Sequence, residues 1–336
     1  MGLPPQVKVI KGSEKGKLVE ATVEGRKKLK PNEVAMRITH SGVCGTDLHH
    51  LVHDLVLGHE GVGVVEAVGE QVTKFQLGDR VGFGYVRDGC GECDHCKAGD
   101  IYYCDMGARM YGVSDFDQGS FADYATWPDT NLHKIPDNIP SAVAPPFLCA
   151  GMTVFTPMRN YGIKPGHRVG IIGIGGLGHI AIQFAAKLGA EVVVFSGSEN
   201  KRKEAMDLGA KEFWVTKDLA DNKKPEKGLD YLLITATKHP DWATFFDLMN
   251  PFGDVILLGL TTEDLVIPYF PLMLREISIH GSLSSKPKQI DEMLAFASEH
   301  GVRPIVEEFP MTEEGAAQAI DKLVSGTIRY RGVLKA

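Results

Sequence analysis

Residues 166–198 read GHRVGIIGIGGLGHIAIQFAAKLGAEVVVFSGS. An apolar run at 169–172 ends in a glycine-rich turn, an apolar stretch of helical character follows, and a second apolar run ends at Phe195. Strand, turn, helix and strand in that order make the repeating unit of a parallel sheet. Gly173, Gly175 and Gly178 form G-I-G-G-L-G, with Gly176 and Leu177 completing the turn. The first glycine suits a tight turn, the second admits a pyrophosphate to the backbone, and the third lets the helix pack on the strand. The helix N-terminus then faces the anion. A bare GxGxxG is a weak signal, but between a strand and a helix it points to a dinucleotide rather than to a ligand-free turn. LDYLLITAT (229–237) and GDVILLGL (253–260) read as further buried strands, so the expected architecture is α/β with a doubly wound Rossmann parallel sheet.

The end of the strand after the helix separates NAD from NADP. An acidic residue there would bind the ribose 2′-hydroxyl and repel a 2′-phosphate. Ser196 holds that place, followed by Gly197, Ser198, Glu199, Asn200, Lys201 and Arg202. Hydroxyls beside a cation suit a phosphate. Ser196, Ser198 and Lys201 are therefore candidate cofactor ligands and NADP(H) is the expected cofactor. Glu199 is the contrary sign unless it turns to solvent, and the bland reading of Lys201 and Arg202 is a solvated helix face.

Upstream of residue 150 the texture differs. VAMRITHSGVC (34–44), GVGVVEAVGEQV (61–72) and DRVGFGYV (79–86) read as short strands between glycine and polar turns, which implies an irregular, mostly β domain. The expected division is a catalytic domain at 1–149, a cofactor domain at 150–286, and a segment at 287–336 that returns to the first domain. The charge run at 217–227 reads as a solvated loop. A net charge of −7 argues against a nucleic-acid or anionic-membrane surface. The N-terminal stretch has no apolar signal core and no apolar run reaches membrane-spanning length. Six cysteines in metal-like spacing fit a reducing compartment, so a cytoplasmic enzyme is expected.

The cysteines fall into two groups. Cys90, Cys93, Cys96 and Cys104 share one stretch, GCGECDHCKAGDIYYC, with spacing C-x2-C-x2-C-x7-C. Four thiolates in so short a span suit a closed structural zinc. The competing iron–sulfur run uses a shorter last spacing and a Cys-Pro end, whereas Asp105 follows Cys104 here. Cys44 and Cys149 lie apart, in SGVCGTDLHH and PPFLCAGMT, and two distant thiolates plus a histidine suit an open, catalytic zinc. Two Zn²⁺ per chain are expected.

With GVCGTDLHH, GHEGVGVVEAVGEQVTKFQLGDRVG, the four-cysteine stretch, CAGMTVF, GIGGLG and the terminal RYR in this order, the chain resembles the zinc-dependent medium-chain alcohol dehydrogenases. Within them it resembles the NADP-linked, cinnamyl-alcohol-dehydrogenase-like branch. The resemblance implies a GroES-like catalytic domain beside the Rossmann domain and a homodimer. It also implies a catalytic zinc on Cys44, His59 and Cys149, with Glu60 as a transient ligand or neighbouring carboxylate. Thr46 matches the hydroxyl that contacts the substrate oxygen, and His49 the imidazole that passes its proton to solvent, a task suited to a group titrating near neutral pH. Thr153 matches the turn facing the nicotinamide, and Arg329 is a candidate for the pyrophosphate. His50, His53 and His95 have no such match and read as surface residues.

Two departures stand out. Only fourteen residues separate Cys44 from His59, several fewer than the resemblance implies, and the loop that borders the substrate cleft is the part expected to be missing, next to 51–55. Gly45 stands where several relatives carry a basic residue near the pyrophosphate. The implied activity is hydride transfer between nicotinamide and an aromatic or medium-chain aldehyde or primary alcohol, mainly as an aldehyde reductase. Reduction of a conjugated C=C or iminium bond on the same scaffold is the alternative, and Thr46 and His49 speak for carbonyl chemistry. A non-catalytic, zinc-free NADP-binding protein is a third class, opposed by the intact ligand set.

Overall fold

The computed structural model describes residues 3–221 and 224–336; Asn222 and Lys223, within the charge run at 217–227, lie outside the described residues. The chain divides into two compact units, residues 1–152 with 284–336, and residues 153–283. The boundaries read from sequence lie three residues from these.

The second unit is built on a six-stranded parallel sheet. In spatial order its strands are Glu212–Val215, Glu191–Ser196, Arg168–Ile172, Leu229–Ile234, Met249–Leu257 and Ser278–Gly281. Arg168–Ile172 is central and buried along its whole length, which is why it reads as a continuous apolar run rather than an alternating one. Val169 lies beside Val192 on one side and Tyr231 on the other. At the start of this strand Arg168 binds Glu191 at 3.2 Å and Glu212 at 2.5 Å, tying three strand ends together. The core holds Val193, Phe195, Leu232, Phe245, Phe246 and Val255, with Phe195 and Phe245 edge to face at 5.1 Å. Each such side chain, fully buried, contributes about 1.5–3 kcal/mol. The strand expected at 253–260 begins earlier, at Met249, because a register shift between Leu229 and Tyr231 lets the neighbouring strand pair on both sides of it.

The first unit is mostly β. Its spine is Glu33–Val43, paired antiparallel with Gly61–Val68, Tyr124–Pro128 and Arg331–Lys335. Arg80–Phe83, Leu132–Lys134 and Val306–Pro310 extend the sheet. Val34, Met36, Val65, Phe83 and Trp127 form the core under it, with Phe83 and Trp127 stacked at 4.1 Å. A separate ribbon of Val86–Asp88 and Arg109–Met110 carries the four-cysteine stretch between its strands. Helices Pro287–His300 and Glu313–Val324 complete the returning segment. No helix among the described residues is long and apolar enough to cross a membrane.

Candidate active site and metal centres

Cys44 stands where the spine strand ends and a short helix, Gly45–His50, begins. Its backbone is extended, and its N–H donates to Asp47 Oδ2 at 2.9 Å, so the helix start is fixed by the helix's own acidic residue. Asp47 is fully buried, and its other oxygen accepts from His59 Nδ1 at 3.0 Å and from the Tyr111 hydroxyl at 2.8 Å. A carboxylate can only accept here, so Nδ1 carries a proton and Nε2 is the nitrogen left to face a metal. His59 Nε2 is buried without a hydrogen-bond partner. This is the arrangement that orients a histidine for metal binding.

Ligand atoms of Cys44, His59, Glu60 and Cys149 lie within 4.8 Å of one another, and the two sulfurs are 3.8 Å apart. Tetrahedral bonds of about 2.3 Å to zinc place two sulfurs about 3.8 Å apart. Glu60 is fully buried; Oε1 pairs with Arg331, and Oε2 has no partner. Gly42 leaves room for that carboxylate, since a Cβ there would lie 1.9 Å from Oε2. The electrostatics point the same way. Burial, with the Cys44 charge, raises the Glu60 carboxyl to about 7 against the pull of Arg331. The Cys149 neighbour, with Arg331 and His59, holds the Cys44 thiol well below its usual range despite burial, and Cys44 together with burial drives Cys149 well above it. Burial opposes charge on His59, yet Asp47 and Cys44 raise it overall. Against its own burial, Arg331 is held charged by Glu60 and the two thiols. Cys44, Cys149 and Glu60 thus crowd together and disfavour one another's charge, and a divalent cation would stabilise all three in their charged forms. The residues fit zinc.

The second cluster, Cys90, Cys93, Cys96 and Cys104, also has its ligand atoms within 4.8 Å, with Cys90 and Cys96 sulfurs 3.9 Å apart. Backbone N–H groups aim at these sulfurs: Cys90 N at Cys104 (3.3 Å), Cys93 N at Cys90 (3.4 Å) and Cys96 N at Cys93 (3.4 Å). Such donors favour thiolates. Gly89 is required for closure, because a Cβ there would lie 2.7 Å from the Cys96 sulfur.

Thr46 is half-buried with its hydroxyl 3.7 Å from the Cys44 sulfur, and His49 lies exposed on the same helix. His53 and His95 are exposed, but His50 is not a surface residue as expected: it is half-buried, its Nδ1 is buried without a partner, and its ring meets Tyr111 edge-on at 5.0 Å. The short connection at 51–55 is closed by backbone bonds, Ser13 N to Leu51 O (2.9 Å) and Gly12 N to Leu55 O (3.1 Å). Gly12 is packed so closely that a Cβ would lie 2.6–2.7 Å from the carbonyl oxygens of His50, Leu51 and His53.

In the second unit Gly173 has φ +95°, Gly175 has open space where a Cβ would stand, and a Cβ on Gly178 would lie 2.0 Å from the Gly173 carbonyl. Gly176 and Leu177 lead into the helix Gly178–Lys187. Ser196 ends its strand, buried, and Ser198 is extended. Lys201 Nζ donates to Ile174 O at 2.7 Å, which brings a cation onto the glycine turn. Glu199 is ion-paired with Arg202, whose guanidinium also bonds Phe213 O at 2.9 Å. Thr153 lies in the helix Ala150–Asn160. In the first unit Arg329 sits over the Tyr330 ring at 5.3 Å, its N–H bonded to Glu307 at 2.6 Å. Asp47, Tyr111 and Arg331 are site residues that sequence reading missed. An acidic residue three positions after a metal cysteine was the one available signal.

A mostly β unit carrying a thiolate–imidazole–carboxylate set and a parallel-sheet unit carrying a dinucleotide-type turn together define the class. Residues 30–137 match the alcohol dehydrogenase GroES-like domain and residues 176–299 the zinc-binding dehydrogenase family. The chain is 36% identical over 332 residues to a probable formaldehyde dehydrogenase of Bacillus subtilis (strain 168), covering 95% of this chain and 94% of that one. It is 35% identical over 323 residues to NADP-dependent alcohol dehydrogenase C 1 of Mycolicibacterium smegmatis, covering 92% of each. A cinnamyl alcohol dehydrogenase structure from Sorghum bicolor superposes with a TM-score of 0.90 at 32% identity, covering 98% of this chain and 97% of that one. The chain belongs to the zinc-dependent medium-chain alcohol dehydrogenases, in their cinnamyl-alcohol-dehydrogenase-like branch.

Proposed function

We propose that the protein is an NADP(H)-dependent alcohol dehydrogenase with two zinc ions per chain, acting mainly as a reductase of aromatic or medium-chain aldehydes. The observation that carries this reading is the set of buried Cys44, His59 and Glu60 with half-buried Cys149, its sulfurs 3.8 Å apart and the His59 Nε2 and Glu60 Oε2 atoms without hydrogen-bond partners. Cys44, His59 and Cys149 would hold the first zinc, with Glu60, paired with Arg331, as its transient ligand or neighbouring carboxylate. Cys90, Cys93, Cys96 and Cys104 hold the second. Zinc supplies Lewis acidity toward a carbonyl oxygen, and the nicotinamide supplies or accepts hydride at the carbonyl carbon. Reduction consumes one aldehyde, one NADPH and one proton and yields the primary alcohol and NADP⁺. Thr46 binds the substrate oxygen through its hydroxyl and passes the proton, and His49 exchanges it with water.

The glycine turn and the helix at Gly178 take the pyrophosphate, Ser196, Ser198 and Lys201 the 2′-phosphate, and Thr153 and Arg329 are further cofactor contacts. The ion pair of Glu199 with Arg202 supports the phosphate reading, since it gives that carboxylate another partner. The working form is a homodimer in the cytoplasm. Supporting the dimer, Ser278–Gly281 is the last strand of its sheet and the preceding helix Tyr269–Leu274 exposes Tyr269 and Phe270. The test is a panel of aldehydes, enals and iminium compounds with NADPH and NADH, alongside zinc analysis. Turnover of aldehydes with NADPH and about two zincs per chain is expected. A zinc-free active preparation, or reduction confined to enals or iminium compounds, would overturn the reading.

A further inference from the structure

The geometry points to Tyr111 as a positioning residue for the metal-binding His59, acting through Asp47. This rests on the reading of Cys44, His59 and Cys149 as a metal site. Tyr111 is buried and its hydroxyl is used twice. It donates to Asp47 Oδ1 at 2.8 Å, the same oxygen that receives His59 Nδ1 at 3.0 Å. It accepts from the backbone N–H of Gly58 at 3.1 Å, the residue immediately before His59. One phenol thus holds both the carboxylate that aims the imidazole and the backbone that carries it. The ring contributes as well, lying 5.0 Å from the His59 ring at 32°.

Tyr111 is itself fixed from outside the site. It follows the strand Arg109–Met110, and its N–H donates to Tyr85 O at 2.9 Å, so it extends the ribbon that carries the four-cysteine stretch. The next residue, Gly112, has φ +71° and must lack a side chain, because a Cβ would lie 2.1 Å from the His50 ring. His50 in turn meets Tyr111 edge-on at 5.0 Å. The phenol therefore has a defined location, and with only packing to do a phenylalanine would serve equally.

Replacing Tyr111 by Phe keeps the ring and removes the hydroxyl. The full chain, with zinc retained in the four-cysteine cluster and cobalt exchanged into the Cys44 site, gives a readout independent of turnover: the cobalt–thiolate and ligand-field absorption, and its loss to a competing chelator. Outer partners of metal ligands typically change affinity about 10–100-fold; one step further out, Y111F is expected at the low end, about tenfold weaker, with an altered ligand-field band. Asp47→Asn should weaken cobalt at least as much, and adding Y111F to D47N should cost clearly less than Y111F costs in the wild type, since Tyr111 acts mainly through that carboxylate. Tyr111→Met serves as a second, apolar replacement should Y111F fail to fold. Wild-type-like affinity and spectrum in Y111F, equal loosening of both metals, or additive effects in the double variant would each overturn the proposal. Failure of the wild type itself to bind cobalt with thiolate absorption at Cys44 would overturn the metal-site reading along with it.

Discussion

Arg331→Met tests whether Glu60 is a buried charge that depends on its partner. Arg331 and Glu60 are 6% and 0% exposed and paired through the guanidinium, and methionine keeps much of the side-chain volume while removing the charge. Breaking a buried pair from one side costs about 3–5 kcal/mol when the survivor stays charged. Glu60 can instead take a proton, which makes the cost depend on pH. Its carboxyl is already raised by burial from the ordinary 4.5 to about 7 in the folded protein. The folded state therefore binds more protons than the unfolded one between those values, and stability falls as pH rises through that window. Without Arg331 the folded value moves higher, so the variant keeps losing stability above pH 7, by up to about 1.4 kcal/mol per pH unit, where the wild type has levelled off. At about 2–4 °C per kcal/mol for a unit of this size, the full loss corresponds to a Tm difference of about 6–20 °C. Thermal melts at pH 6, 7, 8 and 9, on zinc-loaded protein and on protein stripped of the Cys44-site metal, measure it. The gap should widen with pH in the stripped protein and shrink when zinc is present, because the dication takes over the role of Arg331. A gap under about 2 °C, or one that is flat from pH 6 to 9, would refute the reasoning.

Ser196→Asp should shift the ratio of kcat/KM from NADPH toward NADH, because the carboxylate would meet the 2′-phosphate but accept from a ribose hydroxyl. Lys201→Ala should weaken NADPH alone by about 1.5–3 kcal/mol, one to two decades; a wild type that already prefers NADH would redirect attention to Glu199. Cys93→Ser should act on folding, with a lower Tm and poor soluble yield, since a closed thiolate site contributes folding energy; a stable variant with selectively lost turnover would assign the cluster to catalysis. His49→Ala should slow turnover by less than loss of a metal ligand does, within the roughly 10²–10⁴-fold range of general acid–base steps, and change the pH–rate profile. An unchanged rate and profile, measured where chemistry limits turnover, would remove His49 from the relay.

What could be read in the sequence was local. The glycine turn is legible because Gly173 takes a positive φ, Gly175 leaves open space, and a Cβ on Gly178 would lie 2.0 Å from the Gly173 carbonyl oxygen. The metal ligands are legible because thiolates and imidazole are scarce residue types in distinctive motifs. The groups that aim and balance those ligands are ordinary residues brought in by the fold. Tyr111 reaches Asp47 across 64 residues of chain and Arg331 reaches Glu60 across 271. The C-terminal case shows why motif reading stops short. RYR offers two arginines, and nothing in the triplet says which one enters the site. The choice is made by sheet register: Gly332 pairs with Val43, the last residue of the strand that delivers Cys44. The residue before Gly332 is thereby carried to the metal end of that strand, and its guanidinium reaches Glu60, while Arg329 lies two residues earlier over Tyr330. A one-residue slip in that pairing would turn the side chains of the strand to the opposite face. The charge balance of the site is therefore set by a strand register between the two ends of one unit.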